Sequence, residues 1–379
     1  MGELKFPNNF TVDCGDFFGV GGEQDSLKSM FLVKAMDKLG YDVVTLGERE
    51  FNFGQQFLLN QFKTTKVDVV CANLVYADSK KPFVKPYVIR KVGTLKVAFF
   101  GLIGTDMKIR PFKGDPALTI LDPTTTGKAM LADLRKKADI VVLLSHLGMS
   151  DSQKLTVDVP VDIMFFGHQP GLFRTLAKTQ DVITVRGGER GQYIPEVHLV
   201  VEDRKITSFD GDVVQLDDKV PADEAMNAEV DKYQDELNQR FAKANEATAQ
   251  TATAHTAQQI AGERYLGENN CRRCHEAEYQ KWSTQKHAHA FQTLVTNQRD
   301  STPECLPCHV VGMGSSGGFI SKQSTPDLVN VQCESCHGMG TRHGSTDTVG
   351  PEVCQTCHTH QQDPNFQYDE MVQKIVHWE

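Results

Sequence analysis

The chain has 379 residues, 40% of them hydrophobic and 23% charged, so it is long enough for two or three domains with apolar cores. A formal net charge of −9 excludes a nucleic-acid-binding protein that depends on bulk electrostatic attraction. No apolar run reaches the roughly 18 residues that a membrane-spanning helix requires. The first twenty residues lack the apolar segment of a signal peptide.

Cysteine and histidine are concentrated towards the C-terminus. Eight of the ten cysteines lie between Cys271 and Cys357, and ten of the 13 histidines lie from His255 onward. We therefore predict three regions: a low-cysteine domain over 1–217, a helix followed by an Ala/Thr/Gln-rich linker over 218–260, and a Cys/His-rich domain over 261–379. The last region has few large aliphatic residues, so we expect a non-protein group to supply part of its core.

The first region alternates buried-strand patterns with helical patterns, which predicts a layered α/β domain. The predicted strands are Phe10–Cys14, Val43–Leu46, Val67–Leu74, Val97–Ile103, Ile140–Ser145 and Ile163–Phe166. The predicted helices are Leu27–Leu39, Gln55–Phe62 and Thr126–Lys137. Asp16, Glu48, His146 and His168 end or directly follow four of the strands. Because ligand sites gather at the carboxyl ends of strands, we expect these residues to converge in one cleft.

Four Cys-x-x-Cys-His motifs dominate the last region. They comprise Cys271, Cys274 and His275; Cys305, Cys308 and His309; Cys333, Cys336 and His337; and Cys354, Cys357 and His358. Two thiols at this spacing reach the two vinyl groups of one haem, and the histidine that follows becomes an axial ligand of the iron. Two zinc sites of four thiolates each are the alternative, but zinc does not require the histidine that every motif contains. The motifs therefore predict four haem c groups.

Each haem iron has a second axial position, which a further histidine can fill. The histidines outside the motifs and downstream of residue 276 are His287, His289, His343, His360 and His377. They are numerous enough for two-histidine ligation at three or four haems. Such ligation suits electron transfer, whereas a haem with one axial histidine has a free face for a small ligand.

The C-terminal region resembles the tetrahaem cytochrome c-554 family over about 115 residues. The resemblance rests on Trp282 and His287-Ala-His-Ala290 after the first motif, on Cys305-Leu-Pro-Cys-His-Val-Val-Gly-Met-Gly-Ser-Ser-Gly-Gly-Phe319, on Cys333-Glu-Ser-Cys-His-Gly-Met-Gly340, and on Phe366-Gln-Tyr-Asp-Glu-Met-Val372. It implies a mostly helical and irregular multihaem domain that carries electrons. It also implies that His343 ligates the first haem, His287 the third and His377 the fourth, while the haem on His309 lacks a strong distal ligand.

The N-terminal region resembles the metallophosphoesterase fold of the 5′-nucleotidase family, which implies a four-layer domain with two divalent metals. The matching segments are Val12-Asp-Cys-Gly-Asp-Phe-Phe18, Leu46-Gly-Glu-Arg-Glu-Phe-Asn-Phe-Gly54, Cys71-Ala-Asn-Leu74, Leu144-Ser-His-Leu-Gly148 and Phe166-Gly-His-Gln-Pro170. The family's first Asp-x-His turn is absent, Glu48-Arg49 replaces its Asn-His pair, and Pro170 replaces its last metal histidine. The family's general acid is therefore missing, and we assign no catalytic residue.

Two interpretations of the remaining polar residues stay open. Asp16, Glu48, His146 and His168 are a sufficient ligand set for one Mn, Fe or Zn ion. Alternatively, the domain is a scaffold without activity, in which Arg49 pairs with Glu48 or Asp16 and takes the place of a metal. The second interpretation is the one that the sequence favours.

The favoured function is electron transfer through four haems, with the phosphoesterase-like domain as a scaffold. The alternatives are a haem reductase or oxidase of small nitrogen compounds, a 5′-nucleotidase-like hydrolase joined to an electron-transfer module, and a subunit of a larger cytochrome assembly or homo-oligomer. Acidic charge favours basic redox partner proteins over nucleic acid or membrane. Covalent haem attachment implies a periplasmic or cell-surface location. We therefore interpret Met1 as a truncated or miscalled start that lacks the export signal and the first strand.

Overall fold

The computed structural model describes residues 8–217, 219–256, 264–342, 349–359 and 362–377. The chain forms two compact units, Met1–Met226 and Asn227–Glu379. A helix over Glu224–Thr256 begins at the end of the first unit and covers most of the segment predicted as helix and linker. None of the helices in the described residues is long and apolar enough to cross a membrane.

The first unit contains the strands and the longer helices. Its strands in the described residues are β1 (Thr11–Asp13), β2 (Tyr41–Thr45), β3 (Asp68–Val70), β4 (Leu74–Tyr76), β5 (Tyr87–Val92), β6 (Leu95–Ile103), β7 (Leu118–Ile120), β8 (Ile140–His146), β9 (Ile163–Phe166), β10 (Ala177–Thr179), β11 (Val182–Val185), β12 (Tyr193–Glu202) and β13 (Lys205–Gln215). Its helices are α1 (Gly22–Leu39), α2 (Gln55–Phe62), α3 (Pro123–Leu134) and α4 (Met149–Asp158). The helix over Glu224–Thr256 is α5.

Two sheets form the centre of this unit. One is parallel, in the order β1-β2-β3, and the other has the order β10-β11-β9-β8-β6-β5. In the larger sheet, β6, β8, β9 and β11 run parallel, whereas the outer strands β5 and β10 are antiparallel to their neighbours. The pairs β12–β13 and β4–β7 form separate two-stranded ribbons.

The two sheets face each other across a shared core, and helices cover their outer faces. Val43 of β2 packs in the same cluster as Val142 and Leu144 of β8, between the sheets. The alternate residues of β8, Val141 and Leu143, pack on the other side with helical residues such as Leu134 and Leu155. Strand β8 is buried along its whole length because both of its faces are covered. The resulting α/β/β/α arrangement confirms the four-layer fold that the resemblance implied.

The predicted strand Val67–Leu74 does not form as one element. Strand β3 ends at Val70, and β4 begins at Leu74 and pairs with β7 instead of β2. Asn73, buried between them, bonds to Ile103 and Leu121 through its side chain and causes the chain to turn. The prediction of one strand was wrong because apolar residues stand on both sides of Asn73, so a run of mostly apolar residues does not reveal the break.

The second unit is mostly helical and irregular, as expected. After α5 its helices in the described residues are short: α6 (Glu268–Cys271), α7 (Glu276–Ser283), α8 (Ala290–Thr296), α9 (Cys333–His337), α10 (Pro351–Cys354) and α11 (Tyr368–Met371). Its main apolar cluster has seven buried residues: Phe291, Leu294, Leu306, Val310, Val311, Phe319 and Leu328. Such a small cluster gives this unit little stabilisation from apolar side chains alone.

Candidate metal centre and haem-attachment sites

Four predicted side chains meet at the carboxyl ends of the strands in the first unit. One ligand atom from each of Asp16, Glu48, His146 and His168 lies within 4.8 Å of the others. His146 is the last residue of β8, and the other three lie on turns that follow β1, β2 and β9. Asp16 and His168 have positive φ angles of 66° and 65°, which direct the chain sharply back over the strand ends.

His146 is oriented so that one ring nitrogen faces the centre of this cluster. The side chain is fully buried, and its Nδ1 lies 2.6 Å from the carbonyl oxygen of Cys14. A carbonyl only accepts, so Nδ1 carries the proton and donates it. Nε2 lies 3.1 Å from Glu48 Oε2 and 3.6 Å from Asp16 Oδ1. A backbone carbonyl that fixes the tautomer in this way is typical of metal-binding histidine.

His168 provides an independent indication that these residues fit a cation. Its Nδ1 is buried and has no hydrogen-bond partner. The nearest carboxylate oxygen, Oε2 of Glu48, is 3.6 Å away, which is too far for a hydrogen bond. An unsatisfied buried nitrogen is costly. A metal ion between His168 and Glu48 would satisfy both, so the donor set fits one divalent ion.

Gly47 leaves space at the centre of the cluster. A Cβ atom at this position would lie 2.3 Å from Asp16 Oδ1 and 2.6 Å from His146 Nε2. Both distances are well below van der Waals contact, so any residue larger than glycine would fill the volume that the four ligands surround. Position 47 therefore requires glycine because the four ligand side chains leave no room for a larger residue.

Glu50 connects the turns that carry Asp16 and Glu48. It is fully buried and accepts hydrogen bonds from the backbone amides of Asp16, Gly47 and Phe18, at 2.8, 2.7 and 3.1 Å. Burial raises its pKa to about 7, although these bonds oppose the shift. Sequence reasoning missed this residue. In the sequence, burial of Glu50 is indicated only by its position directly before the apolar Phe51.

The arginine beside the cluster pairs with Asp16. Arg49 Nε is 3.6 Å from Asp16 Oδ2, and its backbone amide donates to Asp16 Oδ1 at 3.0 Å. Half of the Arg49 side chain is exposed. Of the two pairings considered above, the structure therefore shows the one with Asp16, while Glu48 faces the histidines. A guanidinium is a permanent cation and cannot act as the proton donor that a histidine would be here.

The turn after His168 is where the resemblance implies a ligand for a second metal, and Pro170 stands at that position. Arg186 donates hydrogen bonds to the carbonyl oxygens of Gln169 and Pro170, at 2.9 and 2.6 Å. Pro170 has no side-chain donor atom, and its carbonyl is occupied by this arginine. The described residues therefore provide a ligand set for one metal and not for two.

The charges in the cluster influence one another strongly. Burial raises the pKa of Glu48, but the hydrogen bond and positive charge of His146 outweigh it and lower that pKa to about 2. Burial lowers the pKa of His146, but the bond to Glu48 and the charge of Asp16 raise it above the ordinary 6.5. Glu48 and His146 therefore stabilise each other's charged forms.

Metal binding at this cluster is expected to weaken at least about tenfold per pH unit below the His146 pKa, because a proton must leave its Nε2 before that nitrogen can ligate. Glu48 stays charged throughout, since its pKa is about 2. Affinity therefore rises with pH and levels off above the raised His146 pKa. Calorimetric titration with Mn²⁺ at several pH values measures this slope. An affinity that does not change across the acidic range would contradict the role of His146.

In the second unit, thiols of different motifs lie next to each other. The thiol of Cys271 in the first motif lies near enough to Cys333 of the third for each to shift the pKa of the other, and burial together with Cys357 of the fourth motif raises the pKa of Cys308 in the second. Cys336 of the third motif is close enough to Cys357 for their charges to interact. The motifs are therefore neighbours in the order first, third, fourth, second.

Three histidines of this unit have their Nδ1 atoms anchored. His309 Nδ1 lies 2.6 Å from the Ala290 carbonyl oxygen, and His377 Nδ1 lies 2.9 Å from that of Ile375. His358 Nδ1 is 2.8 Å from the Asp363 carboxylate, and its ring stacks on Phe366. Each anchor fixes the orientation of the ring, and Nε2 is the atom that would ligate a metal. The donor chemistry therefore fits haem iron at these positions.

Two pairs of histidine rings lie close together in this unit. The ring centroids of His287 and His358 are 6.1 Å apart, and those of His337 and His377 are 6.0 Å apart. The resemblance assigned His287 to the third haem and His377 to the fourth, whereas His287 lies beside the histidine of the fourth motif and His377 beside that of the third. Which haem each of them would ligate stays a prediction.

Of the remaining predicted haem residues, His275 is half exposed and lies 3.9 Å from Glu278. Its motif partner Cys274 is exposed, whereas Cys305 and Cys354 are partly buried. His343, predicted as the distal ligand of the first haem, lies outside the described residues.

Comparison with known proteins agrees with both resemblances. Residues 270–338 match the family model for cytochrome c554 and c-prime. The chain is 35% identical to cytochrome c-554 of Nitrosomonas europaea over 91 residues, which cover 20% of this chain and 39% of that protein. It is 31% identical to the 2′,3′-cyclic-nucleotide 2′-phosphodiesterase/3′-nucleotidase of Haemophilus influenzae over 192 residues, or 45% of this chain and 29% of that protein.

Among solved structures, the 5′-nucleotidase precursor from Thermus thermophilus aligns with a TM-score of 0.51 and 23% identity, over 68% of this chain and 52% of that chain. In each case the chain spans less than two thirds of the relative's length. The protein is therefore a fusion of a 5′-nucleotidase-like domain with a cytochrome c554-like domain.

Proposed function

We propose that this protein transfers electrons outside the cytoplasm through four haems, each bound covalently to one of its Cys-x-x-Cys-His motifs. The observation that carries the proposal is the contiguity of the motifs. Thiols of the first and third motifs lie near enough to shift each other's pKa, Cys308 of the second motif interacts with Cys357 of the fourth, and Cys336 of the third motif interacts with the cysteines of the fourth. Groups attached to these thiols would be near neighbours, as stepwise electron transfer requires.

The residues of the chain support this role in defined ways. The cysteines would form the thioether bonds, and His275, His309, His337 and His358 would ligate from one side. His287, near His358, and His377, near His337, would be candidates for a second ligand at the fourth and third motifs. Bound haem supplies one-electron iron chemistry, and the chain sets its ligation and burial. The surplus negative charge of this chain favours basic redox partners.

The test is to express the chain behind an export signal in a host that matures c-type cytochromes. A pyridine haemochrome spectrum and intact mass are expected to give four haems per chain. Potentiometric titration should then show reversible reduction of all four. A protein without covalent haem that contains two zinc ions would refute the proposal and support the zinc alternative.

A second candidate function is metal-dependent hydrolysis of a phosphate ester, such as a nucleotide, in the first unit. It is favoured by the meeting of four ligand side chains and by the unpartnered Nδ1 of His168. Arg49 stands where a proton donor is needed, and general acid catalysis is worth about 10²–10⁴ in rate. Only slow, Mn²⁺-dependent phosphate release is therefore expected. Release that persists in a His168→Ala variant would arise from a contaminating enzyme and would exclude this function.

A further inference from the structure

We infer that Glu334 fastens the first haem-attachment motif to the third and lowers the reduction potentials of these two haems relative to the other two. The inference rests on the proposed haem attachment. Glu334 lies between the two cysteines of the third motif, in helix α9, and only 4% of its surface is exposed. Acidic residues are almost never buried to this degree without partners that satisfy them.

The carboxylate of Glu334 is satisfied by backbone amides. It accepts from Leu266 at 2.8 and 2.9 Å, from Gly267 at 2.8 Å and from Gly340 at 2.6 Å. Leu266 and Gly267 lie just before the first motif, and Gly340 lies just after the third. One side chain therefore joins two stretches of backbone, one before the first attachment site and one after the third.

Neighbouring contacts strengthen the same connection. Gln332, also buried, accepts a hydrogen bond from the backbone amide of Glu268 at 2.8 Å. The backbone amide of Arg264 donates to the hydroxyl of Thr341 at 2.9 Å. These bonds join the segment before the first motif to the segment around the third. They account for the proximity of the thiols of Cys271 and Cys333.

The charge of Glu334 is not neutralised by a cation in its hydrogen bonds, all of which come from uncharged amides. In a poorly polarisable interior a charge acts more strongly and over a longer range than in water. The Cys271 thiol responds to this carboxylate, which places the charge near the first motif as well as the third. Glu268, half-buried beside the same thiols, adds negative charge of the same sign.

The effect on the haems follows from their charge states. A ferric haem carries one more positive charge than a ferrous haem, so a nearby buried carboxylate stabilises the ferric form. Reduction of the haem iron then requires a stronger electron donor, so the reduction potential of the haem falls. The second and fourth motifs have no such buried acid within them: the residues between their cysteines are Leu306 and Pro307, and Gln355 and Thr356. Removing the charge of Glu334 is therefore expected to raise the potentials of the first and third haems more than those of the other two.

The test compares Glu334→Gln with Glu352→Gln in the haem-loaded protein by spectroelectrochemical titration. Glu352 is an exposed acid beside the fourth motif, so its charge is screened by water and it serves as a matched control. Glu334→Gln is expected to raise the potentials of two haems by at least the equivalent of tenfold in the ratio of reduced to oxidised form, about 59 mV for one electron. Glu352→Gln is expected to change all four much less.

Unchanged potentials in Glu334→Gln, an equal shift in Glu352→Gln, or an equal shift of all four haems would overturn the inference. Glu334→Asp keeps the charge and should keep the potentials of the first and third haems, so a rise in that variant would also overturn it. If Glu334→Gln does not incorporate its haems, a rise of the two potentials in Glu334→Asp would still overturn the inference. Haem content is measured on every sample. Unaltered protein without four haems refutes the proposed function, and the reduction potentials are compared only in samples that contain all four haems.

Discussion

Replacing Cys333 and Cys336 together by alanine is expected to leave three covalent haems per chain where the unaltered protein carries four. The two thioether bonds of the third haem would have no sulfur to form on, and His337 alone would hold the group only reversibly. Pyridine haemochrome spectra of the denatured protein and intact mass count the haems that remain. This is the largest change expected from substitutions in the second unit.

The same substitution is expected to destabilise the second unit. Its main apolar cluster has only seven buried residues, and the third motif lies between the first and the fourth. Removal of one haem would therefore leave a cavity among the attachment sites, which costs free energy of folding. Thermal unfolding followed at the absorbance of the remaining haems should show a lower midpoint.

The chain itself offers a control for this experiment. Cys14 and Cys71 lie in the first unit, outside any motif, and Cys71 is fully buried. Replacing both by alanine removes the same number of thiols and should leave four haems. If that variant lost a haem, or if Cys333→Ala/Cys336→Ala retained four, the assignment of thioether bonds to the motif cysteines would be wrong.

Local sequence patterns were sufficient to predict the features whose cause is local. Strand β8 was visible because all seven of its residues are buried and the first five of them are apolar. The convergence of Asp16, Glu48, His146 and His168 was predictable because each ends or follows a strand, and the carboxyl ends of parallel strands meet at one edge. Whether these residues bind a metal stays a prediction.

Features that depend on distant contacts could not be predicted in the same way. Glu50 looks like a surface acid in the sequence, and its role appears only when the turns after β1 and β2 lie side by side. Arg186 contacts Gln169 and Pro170 from the far end of β11. The proximity of His287 to His358 of the fourth motif depends on how the motifs pack together. Helix α9 has only five residues and carries no periodicity that could predict this packing.

Substituting Gly47 by alanine is expected to weaken binding of one divalent metal to the first unit by at least about a hundredfold, or about 2.7 kcal/mol. The added Cβ would lie 2.3 Å from Asp16 Oδ1 and 2.6 Å from His146 Nε2, so both ligands must move out of the position that they share. Gly47 has no positive φ angle, so alanine fits its backbone conformation and the fold should persist. Equilibrium dialysis against Mn²⁺ with elemental analysis measures the loss.

Gly148→Ala provides the matched control, since this glycine is two residues from His146 and its Cβ would meet only Gln169, at 3.8 Å. It should bind one equivalent of metal as tightly as the unaltered protein. Circular dichroism of both variants separates a blocked centre from an unfolded one. Undiminished binding in Gly47→Ala would place any metal outside this cluster. Absence of binding in the unaltered protein would instead favour a scaffold in which Arg49 neutralises Asp16 and the strand-end residues satisfy one another.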